Sequence, residues 1–246
     1  MRTLSSNPKG VLIIGAGGLG CPAALALAAA GVPRIGLCDD DRVDLTNLHR
    51  QVLHGEADVG DFKVASAARA LARLYPHVRV DTHALRFDVP NALALVAAYD
   101  VIVDGSDNFA TKFVANDAAV LAGRPLVHGA AVGLGGQLLT VPAGGHPCYR
   151  CLFEEPPPPG VGPSCAEAGV LGPAPGVIGA LQGAEAARLL AGEKPAFSGR
   201  LIQYDSAGMM IRSIPFNPNP ACLVCGARPR IRALEAGNYP AADCMR

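Results

Sequence analysis

The sequence predicts an α/β fold: a Rossmann-like, doubly wound and mostly parallel sheet with antiparallel C-terminal strands. Strand-length apolar runs alternate with helix-length runs through the first half of the chain, which is the pattern of parallel strands joined by right-handed crossovers. A glycine-rich turn, Gly15-Ala16-Gly17-Gly18-Leu19-Gly20, follows the first apolar run. Asp39 lies nineteen residues after Gly20, where βαβ units that bind nucleotides place an acid for the ribose hydroxyls. Nucleotide binding is therefore expected.

The elements follow from the spacing of apolar residues and from the breaks at glycine and proline. In the first half we expect strands at residues 11–15, 35–39, 78–84, 101–104 and 126–129. The expected helices between them cover residues 19–30, 62–74, 92–98 and 109–121.

The second half departs from this alternation. Further strands are expected at residues 136–141, 201–204 and 209–214, with a helix at 177–190. Because only four residues separate the last two strands, we expect them to pair as an antiparallel hairpin. The proline-rich stretch 154–175 is expected to be an exposed, partly extended loop.

Composition limits the classes of function. The 246 residues carry 21 Lys and Arg against 21 Asp and Glu, so a basic surface for nucleic acid or anionic membranes is not expected. Half of the residues are apolar, which argues against disorder. The uncharged stretch 10–33 is interrupted by glycines and proline, so we expect neither a signal peptide nor a membrane helix there. We therefore expect a cytoplasmic location.

Four of the eight cysteines form two Cys-x-x-Cys pairs, Cys148 with Cys151 and Cys222 with Cys225. Four thiolates in this spacing match a tetrahedral structural zinc site, which leaves no open position for water or substrate. The alternatives are two unrelated pairs or a redox disulfide, and the repeated spacing favours zinc.

A fifth cysteine, Cys165, lies outside any expected element. It could act as a nucleophile if its neighbours lower its pKa. Cys21 and Cys38 fall within expected core elements, where cysteine is typically a small buried hydrophobe.

The segment Asp104-Gly105-Ser106-Asp107-Asn108 ends the fourth expected strand, at the edge of the sheet where ligands bind. Asp107 could hold a magnesium ion that bridges phosphate oxygens. The alternative is that Asp107 or Asn108 only caps the next helix. With Arg50 and Lys63, the segment completes a set suited to a triphosphate and a metal ion.

Together these motifs resemble the MoeB/ThiF/HesA family, the bacterial relatives of ubiquitin-activating enzymes. The resemblance spans about residues 10–226. Its ordered motifs are the glycine turn, Asp39-x-Asp41, Thr46-Asn47-Leu48-x-Arg50-Gln51, Gly60-x-x-Lys63, Asp104-x-x-Asp107-Asn108, the four-cysteine pattern and Cys165-x-Glu167-Ala168-Gly169-Val170. The last motif is weakly closer to the molybdopterin branch than to the thiamine branch.

The resemblance implies an ATP-dependent adenylyltransferase. Its substrate would be the C-terminal Gly-Gly carboxylate of a small ubiquitin-like sulfur-carrier protein, and pyrophosphate would be released. Mg²⁺ and Zn²⁺ are the implied metals, and the implied assembly is a homodimer. We expect residues 1–246 to form a single domain, with a nucleotide-binding half over about 10–130 and a carrier- and zinc-binding half over about 131–230.

The same resemblance assigns individual residues. The implied ATP-binding set is Gly15, Gly17, Gly18, Gly20, Asp39, Asp41, Asn47, Arg50, Gln51, Lys63, Asp107 and Asn108. Within it, Arg50, Lys63 and Asp107 are implied to be catalytic, with Asp107 as the magnesium ligand. Cys148, Cys151, Cys222 and Cys225 are the implied zinc ligands. Cys165 matches a cysteine that some members use for a covalent carrier intermediate.

One departure leaves alternatives open. Members of the family usually begin with a helix whose arginine reaches the ATP of the partner subunit, and only nine residues precede Gly10 here. Either Arg2 substitutes, or the start is truncated, or phosphate binding is weakened. A non-catalytic scaffold subunit or adenylation of another carboxylate is therefore an alternative. A nicotinamide dehydrogenase would explain only the glycine turn and Asp39. With no rhodanese-like domain recognised, sulfur is expected from a separate sulfurtransferase or cysteine desulfurase.

Overall fold

A single mixed sheet organises the chain in the computed structural model, which describes residues 8–156 and 169–239. The described strands are β1 (Gly10–Ile14), β2 (Arg34–Cys38), β3 (Arg79–His83), β4 (Val101–Asp104), β5 (Leu126–Val132), β6 (Gly135–Val141), β7 (Arg200–Asp205) and β8 (Met210–Pro215). The described α-helices are α1 (Gly20–Ala29), α2 (Lys63–Leu74), α3 (Val89–Ala97), α4 (Phe109–Leu121), α5 (Tyr149–Leu152) and α6 (Pro173–Leu190).

The strand order is β3-β2-β1-β4-β5-β6-β7-β8. The pairs from β3 to β5 are parallel, and the pairs from β5 to β8 are antiparallel. The predicted Rossmann-like sheet with antiparallel C-terminal strands is confirmed. The predicted hairpin is confirmed as well, since β7 and β8 pair with Asp205 opposite Met210.

The central strands are buried on both faces. Every residue of β1, β2 and β4 is buried, because helices cover both sides of this part of the sheet. One core cluster contains Leu12, Ile102 and Phe113, and a second contains Ile13, Leu27 and Leu71. Continuous apolar strands of this kind position the loops at their carboxyl ends with little freedom.

The order of the strands opens a crevice between β1 and β4. The chain passes from β1 to β2 on one side and returns to β4 on the other, so the loops after these strands leave the sheet in opposite directions. Such a switch point is where doubly wound sheets bind nucleotides.

The predicted boundaries differ most at the starts of two helices and at the end of β5, which continues to Val132 and not only to residue 129. Helix α6 begins at Pro173, whereas the sequence predicted residue 177. Proline is tolerated in a first helical turn because the amide groups there need no intrahelical acceptor, so Pro173 and Pro175 belong to the helix and not to the predicted loop. Helix α3 begins at Val89 and not at residue 92, with Asp88 as its cap. Residues 157–168 of the predicted loop lie outside the described residues.

Helix α5 was not predicted, because a single turn has too few residues to show helical periodicity. Within the described ranges, no helix is both long and apolar enough to span a membrane.

Helices α1 and α6 pack closely through glycine. A side chain on Gly179 of α6 would overlap the Leu19 carbonyl oxygen, and a Cβ on Gly183 would lie 2.7 Å from the Ala23 carbonyl oxygen. In contrast, a Cβ on Gly176 would meet no atom within 4 Å. These two helices approach as far as their backbones allow.

This contrast gives a matched pair of substitutions within one helix. Gly179→Ala should lower the free energy of unfolding by about 2 kcal/mol, because the helices must separate. Gly176→Ala should raise it by about 0.5–1 kcal/mol, since alanine favours the helix. Urea unfolding of both variants checks the prediction, and a stable Gly179→Ala protein would contradict the close packing.

Candidate active site

The glycine turn passes against the backbone that follows β4. Gly15 has a φ of 89°, in the left-handed region that favours glycine. A Cβ on Gly15 would lie 2.8 Å from the Gly105 carbonyl oxygen, and one on Gly20 would overlap the Gly15 carbonyl oxygen. These glycines therefore set the turn and begin α1, which supplies the helix N-terminus of a phosphate site.

Asp39 follows β2 and faces the glycine turn. Its Oδ2 accepts a hydrogen bond from the Ala16 amide at 2.7 Å, and its Oδ1 accepts one from the Asp41 amide at 2.8 Å. Burial raises the pKa of the Asp39 carboxyl, and the charge of Lys63 opposes this shift. Each carboxylate oxygen has a second lone pair, so the two amide bonds leave acceptor capacity for ribose hydroxyls.

The segment after the acidic cluster runs beside the glycine turn. Asn47 ends a short 3-10 helix, and its carbonyl accepts hydrogen bonds from the amides of Arg50 and Gln51. Arg50 carbon atoms lie 3.4 Å from the position of a Cβ on Gly18, and the Gln51 amide nitrogen lies 3.5 Å from that position on Gly17. The tight local turn thus places the aliphatic stem of Arg50 and the Gln51 amide beside the glycine turn, while the Arg50 Nη1 lies 3.3 Å from the His49 Nε2.

Gln51 has an unusual environment. Its side chain is 3% exposed, and its Oε1 is buried without a hydrogen-bond partner. A buried polar atom in this state costs free energy, and binding sites are where such a cost is commonly found.

Lys63 is the first residue of α2, one residue after the predicted start of this helix at 62. Its Nζ forms an ion pair with the Asp41 Oδ2 at 2.7 Å, and the lysine side chain is buried while that of Asp41 is 67% exposed. Asp39, Asp40 and Asp41 lie close enough together to hold a metal ion. However, Asp39 accepts two backbone hydrogen bonds and Asp41 pairs with Lys63, so these acids already have other partners.

The segment after β4 contains one buried and one exposed acid. Asp104 is buried, and it contacts the Lys112 Nζ at 3.1 Å and the His128 Nδ1 at 2.7 Å. Burial alone would raise the pKa of Asp104, but Lys112 and His128 outweigh burial and lower it. Asp107 is exposed, in the loop between β4 and α4.

The cap of α4 is Asn108. Its Oδ1 accepts a hydrogen bond from the Thr111 amide at 2.8 Å. Of the two readings that the sequence allowed for capping, the structure assigns the cap to Asn108 rather than to Asp107. The prediction that Asn108 contacts ATP is not tested by this bond.

The four paired cysteines come together as predicted. The distances between sulfur atoms are 3.5 Å for Cys148 to Cys222, 3.4 Å for Cys148 to Cys225, 3.4 Å for Cys151 to Cys225 and 4.0 Å for Cys148 to Cys151. Four sulfurs at about 2.3 Å from a tetrahedral zinc ion would be about 3.8 Å apart. The cluster therefore has the size of a zinc site.

The first knuckle is attached to α4 by a buried ion pair. Arg150 donates to both carboxylate oxygens of Asp117, at distances of 2.9–3.0 Å. The Tyr239 hydroxyl also donates to Asp117, at 2.8 Å. The Tyr149 amide donates to the Asn116 side chain at 2.9 Å. The cysteine cluster and α4 are thereby held in a fixed relation.

Sequence reasoning missed Pro175, whose Cβ lies 3.4 Å from the position of a Cβ on Gly18. The first turn of α6 thus borders the glycine turn. The sequence did not predict this contact, because the prolines of this turn were assigned to the preceding loop. It also missed Lys112 and His128, which carry no motif. Cys165 and Arg2 lie outside the described residues, so their predicted roles stay predictions.

Known proteins are similar to this chain in sequence and in fold. The chain is 48% identical to adenylyltransferase and sulfurtransferase MOCS3 of Anopheles gambiae over 232 residues, which are 94% of this chain and 53% of that protein. It is 47% identical to the sulfur carrier protein adenylyltransferase of Thermus thermophilus over 229 residues, which are 91% of this chain and 84% of that protein. The chain thus spans about half the length of its MOCS3 relatives.

A solved structure of E. coli MccB with ATP superimposes with a TM-score of 0.77 at 26% identity, over 89% of this chain and 67% of that chain. The sequence model of the ThiF family matches residues 4–224. Because that match extends over most of the sequence and the two relatives named first share nearly half of their aligned residues with it, the chain belongs to the ThiF family.

Proposed function

We propose that this protein activates the C-terminal carboxylate of a ubiquitin-like sulfur-carrier protein by adenylation with ATP. The single observation that carries the proposal is the stem of Arg50 beside Gly18, because an arginine packed along a phosphate-binding turn can bring its guanidinium to a triphosphate. The names of the Thermus thermophilus and Anopheles gambiae relatives agree with this activity. The solved complex of MccB with ATP supports ATP as the nucleotide.

The reaction needs positioning and charge stabilisation more than proton transfer. The carrier carboxylate is already an anion at neutral pH, so it attacks the α-phosphorus without a general base. A bond forms between a carboxylate oxygen and the α-phosphorus, the bond to the bridging oxygen breaks, and pyrophosphate leaves. Arg50 and Lys63 offset the charge that develops, Asp39 holds the ribose, and Gly17, Gly18 and Gln51 line the phosphate turn.

Asp107 would hold magnesium. Magnesium in nucleotide sites typically takes one or two carboxylates together with phosphate oxygens and water, and one exposed carboxylate after β4 fits that use. When bound, the ion would neutralise phosphate charge. Asn47, Asp41 and Asn108 complete the proposed ATP-binding set.

The four-cysteine cluster would hold zinc in a structural role. Four sulfurs fill a tetrahedral shell, so the ion would have no position for substrate. We further propose that the protein acts as a homodimer, that Cys165 carries any covalent carrier intermediate, and that a separate sulfurtransferase or cysteine desulfurase supplies sulfur. The nucleotide-binding half at about 10–130 and the carrier- and zinc-binding half at about 131–230 form one domain in this proposal.

ATP–pyrophosphate exchange that depends on a carrier ending in Gly-Gly tests the proposal. The wild-type protein should exchange label only when the carrier is present. Asp107→Asn should reduce the exchange rate at least a hundredfold, because the metal ligand is lost while the cap remains.

Asn108→Ala serves as the stability comparison for Asp107→Asn. It should lower the free energy of unfolding by about 1 kcal/mol through loss of the cap. Carrier-independent ATP binding without any exchange would favour the scaffold alternative, and exchange with a different carboxylate would replace the proposed substrate.

Arg50→Ala and Lys63→Ala should reduce the adenylation rate about a hundredfold or more, with little effect on nucleoside affinity. Both cations meet charge that develops in the transition state. Asp39→Ala should do the opposite and mainly weaken ATP binding, since the ribose hydroxyls do not change during the reaction. Two measurements, the rate at saturating ATP and the affinity for ATP, separate the two cation variants from Asp39→Ala. A normal rate in Arg50→Ala would refute the placement of the triphosphate.

Replacement of Cys222 by Ser should lower bound zinc and thermal stability together, because the ion contributes directly to folding. Cys38→Ala is the control: Cys38 is equally buried but lies in β2, so this variant should lose stability and keep its metal. Metal analysis with thermal unfolding measures both effects. Full stability of the wild-type protein after zinc removal would contradict the structural role.

A further inference from the structure

His54 is a buried histidine to which neither the sequence motifs nor the proposed mechanism gives a role. Its side chain lies under the glycine turn, with Nε2 at 3.0 Å from the Ala16 carbonyl oxygen and Nδ1 at 2.9 Å from the Ser66 hydroxyl. The carbonyl can only accept, so Nε2 carries the hydrogen and Nδ1 accepts from Ser66. Burial lowers the pKa of His54, which keeps this neutral form.

The Ala16 carbonyl has a second donor. The Cys21 thiol lies 3.3 Å from the same oxygen, and burial raises the pKa of Cys21 to about 12, so the thiol keeps its proton. A thiol is a weak donor, however. The imidazole of His54 is therefore the principal hydrogen bond that holds this carbonyl.

Ala16 is held from both sides. Its amide donates to the Asp39 carboxylate, while its carbonyl accepts from His54. Because a peptide group is planar and trans, fixing the Ala16 carbonyl also fixes the Gly17 amide, which points to the side opposite His54. Amides in such turns are the groups that bind phosphate oxygens. Without the histidine, the Ala16–Gly17 peptide could rotate readily, because Gly17 tolerates a wide range of φ.

The Nδ1 side of the His54 ring contacts α2, the helix that begins with Lys63, for which we propose a phosphate contact. Ser66 is buried and lies three residues after Lys63 in α2, on the same face of the helix. His54 thus connects two phosphate-binding parts, the glycine turn and the start of α2, through its two ring nitrogens.

We infer that His54 is a positioning residue that holds the Ala16–Gly17 peptide in the orientation that binds the phosphates of a nucleoside triphosphate. The inference deepens the proposed adenylation and rests on it for the nature of the ligand. It predicts that affinity for the triphosphate depends on the donor at Nε2 more than on the contact with Ser66.

Two isosteric variants separate the ring nitrogens. In His54→Gln the side-chain amide can place its nitrogen near the Nε2 position and keep the donor to Ala16. In His54→Asn the shorter amide reaches only the Nδ1 position, so it keeps the Ser66 contact and loses the donor to Ala16. The probe is an ATP analogue with a methylene group between the α- and β-phosphorus, together with magnesium and without carrier, so that no reaction occurs.

We expect His54→Asn to weaken binding of the analogue about tenfold, and His54→Gln to stay within about threefold of the wild type. Ser66→Ala, which removes only the support of the ring, should lie between them. Thermal unfolding without nucleotide serves as the structural readout. If His54→Asn does not fold, His54→Gln is compared with Ser66→Ala. A smaller loss of affinity in His54→Gln supports the inference, and an equal or larger loss overturns it.

Equal affinity in all variants, or equal losses in His54→Gln and His54→Asn, would overturn the inference. A wild-type protein that binds the analogue but gives no carrier-dependent exchange would instead overturn the proposed function alone. At saturating ATP, the exchange rate of His54→Asn should recover most of its loss, whereas a role in the chemical step would leave the rate low.

Discussion

The site depends on the close approach between the glycine turn after β1 and the backbone after β4. A side chain on Gly15 would meet the Gly105 carbonyl, and one on Gly20 would overlap the carbonyl of Gly15. Backbone packing this tight excludes other residues and leaves a turn with little thickness above the sheet. Asp39 can then reach the Ala16 amide from the next strand, and the stem of Arg50 can pack beside Gly18. A thicker turn would separate these groups.

Two acids three residues apart serve different purposes at the end of β4. Asp104 is fully buried, Lys112 offsets its charge and His128 donates a hydrogen bond to it, so Asp104 supports the end of the strand from inside. Removing Lys112 would leave the buried Asp104 charge uncompensated, which is costly. Asp107 is exposed and follows the strand into the crevice, where a carboxylate can meet a cation from solvent. Position relative to the sheet edge, and not residue type, distinguishes the buried Asp104 from Asp107, the acid proposed to bind metal.

The cysteine cluster lies in the second half of the chain but is connected to the nucleotide-binding half. Arg150 lies between Cys148 and Cys151 and forms its bidentate ion pair with Asp117 near the end of α4. That helix begins directly after the Asp107–Asn108 segment. A buried ion pair is weak grounds for stability, yet it holds partners in one geometry. The knuckle therefore fixes the orientation of a helix whose first turn borders the candidate site.

The sequence by itself determined the succession of strands and helices along the chain, the glycine turn and the grouping of four cysteines into two Cys-x-x-Cys pairs. Strand 101–104 and helix 109–121 match the structure because their signals are local: a continuous apolar run, then a capping residue and helical periodicity. The predicted start of α6 lies four residues too far along the chain, because proline indicates a break in a helix whether it begins the helix or interrupts it. Only the tertiary structure decided that the stem of Arg50 lies beside Gly18, that Asn108 is the cap and that His54 supports the turn. It also brought Cys148 to Cys222, which are 74 residues apart. Contacts between distant residues depend on the order of strands in the sheet, which local periodicity does not specify.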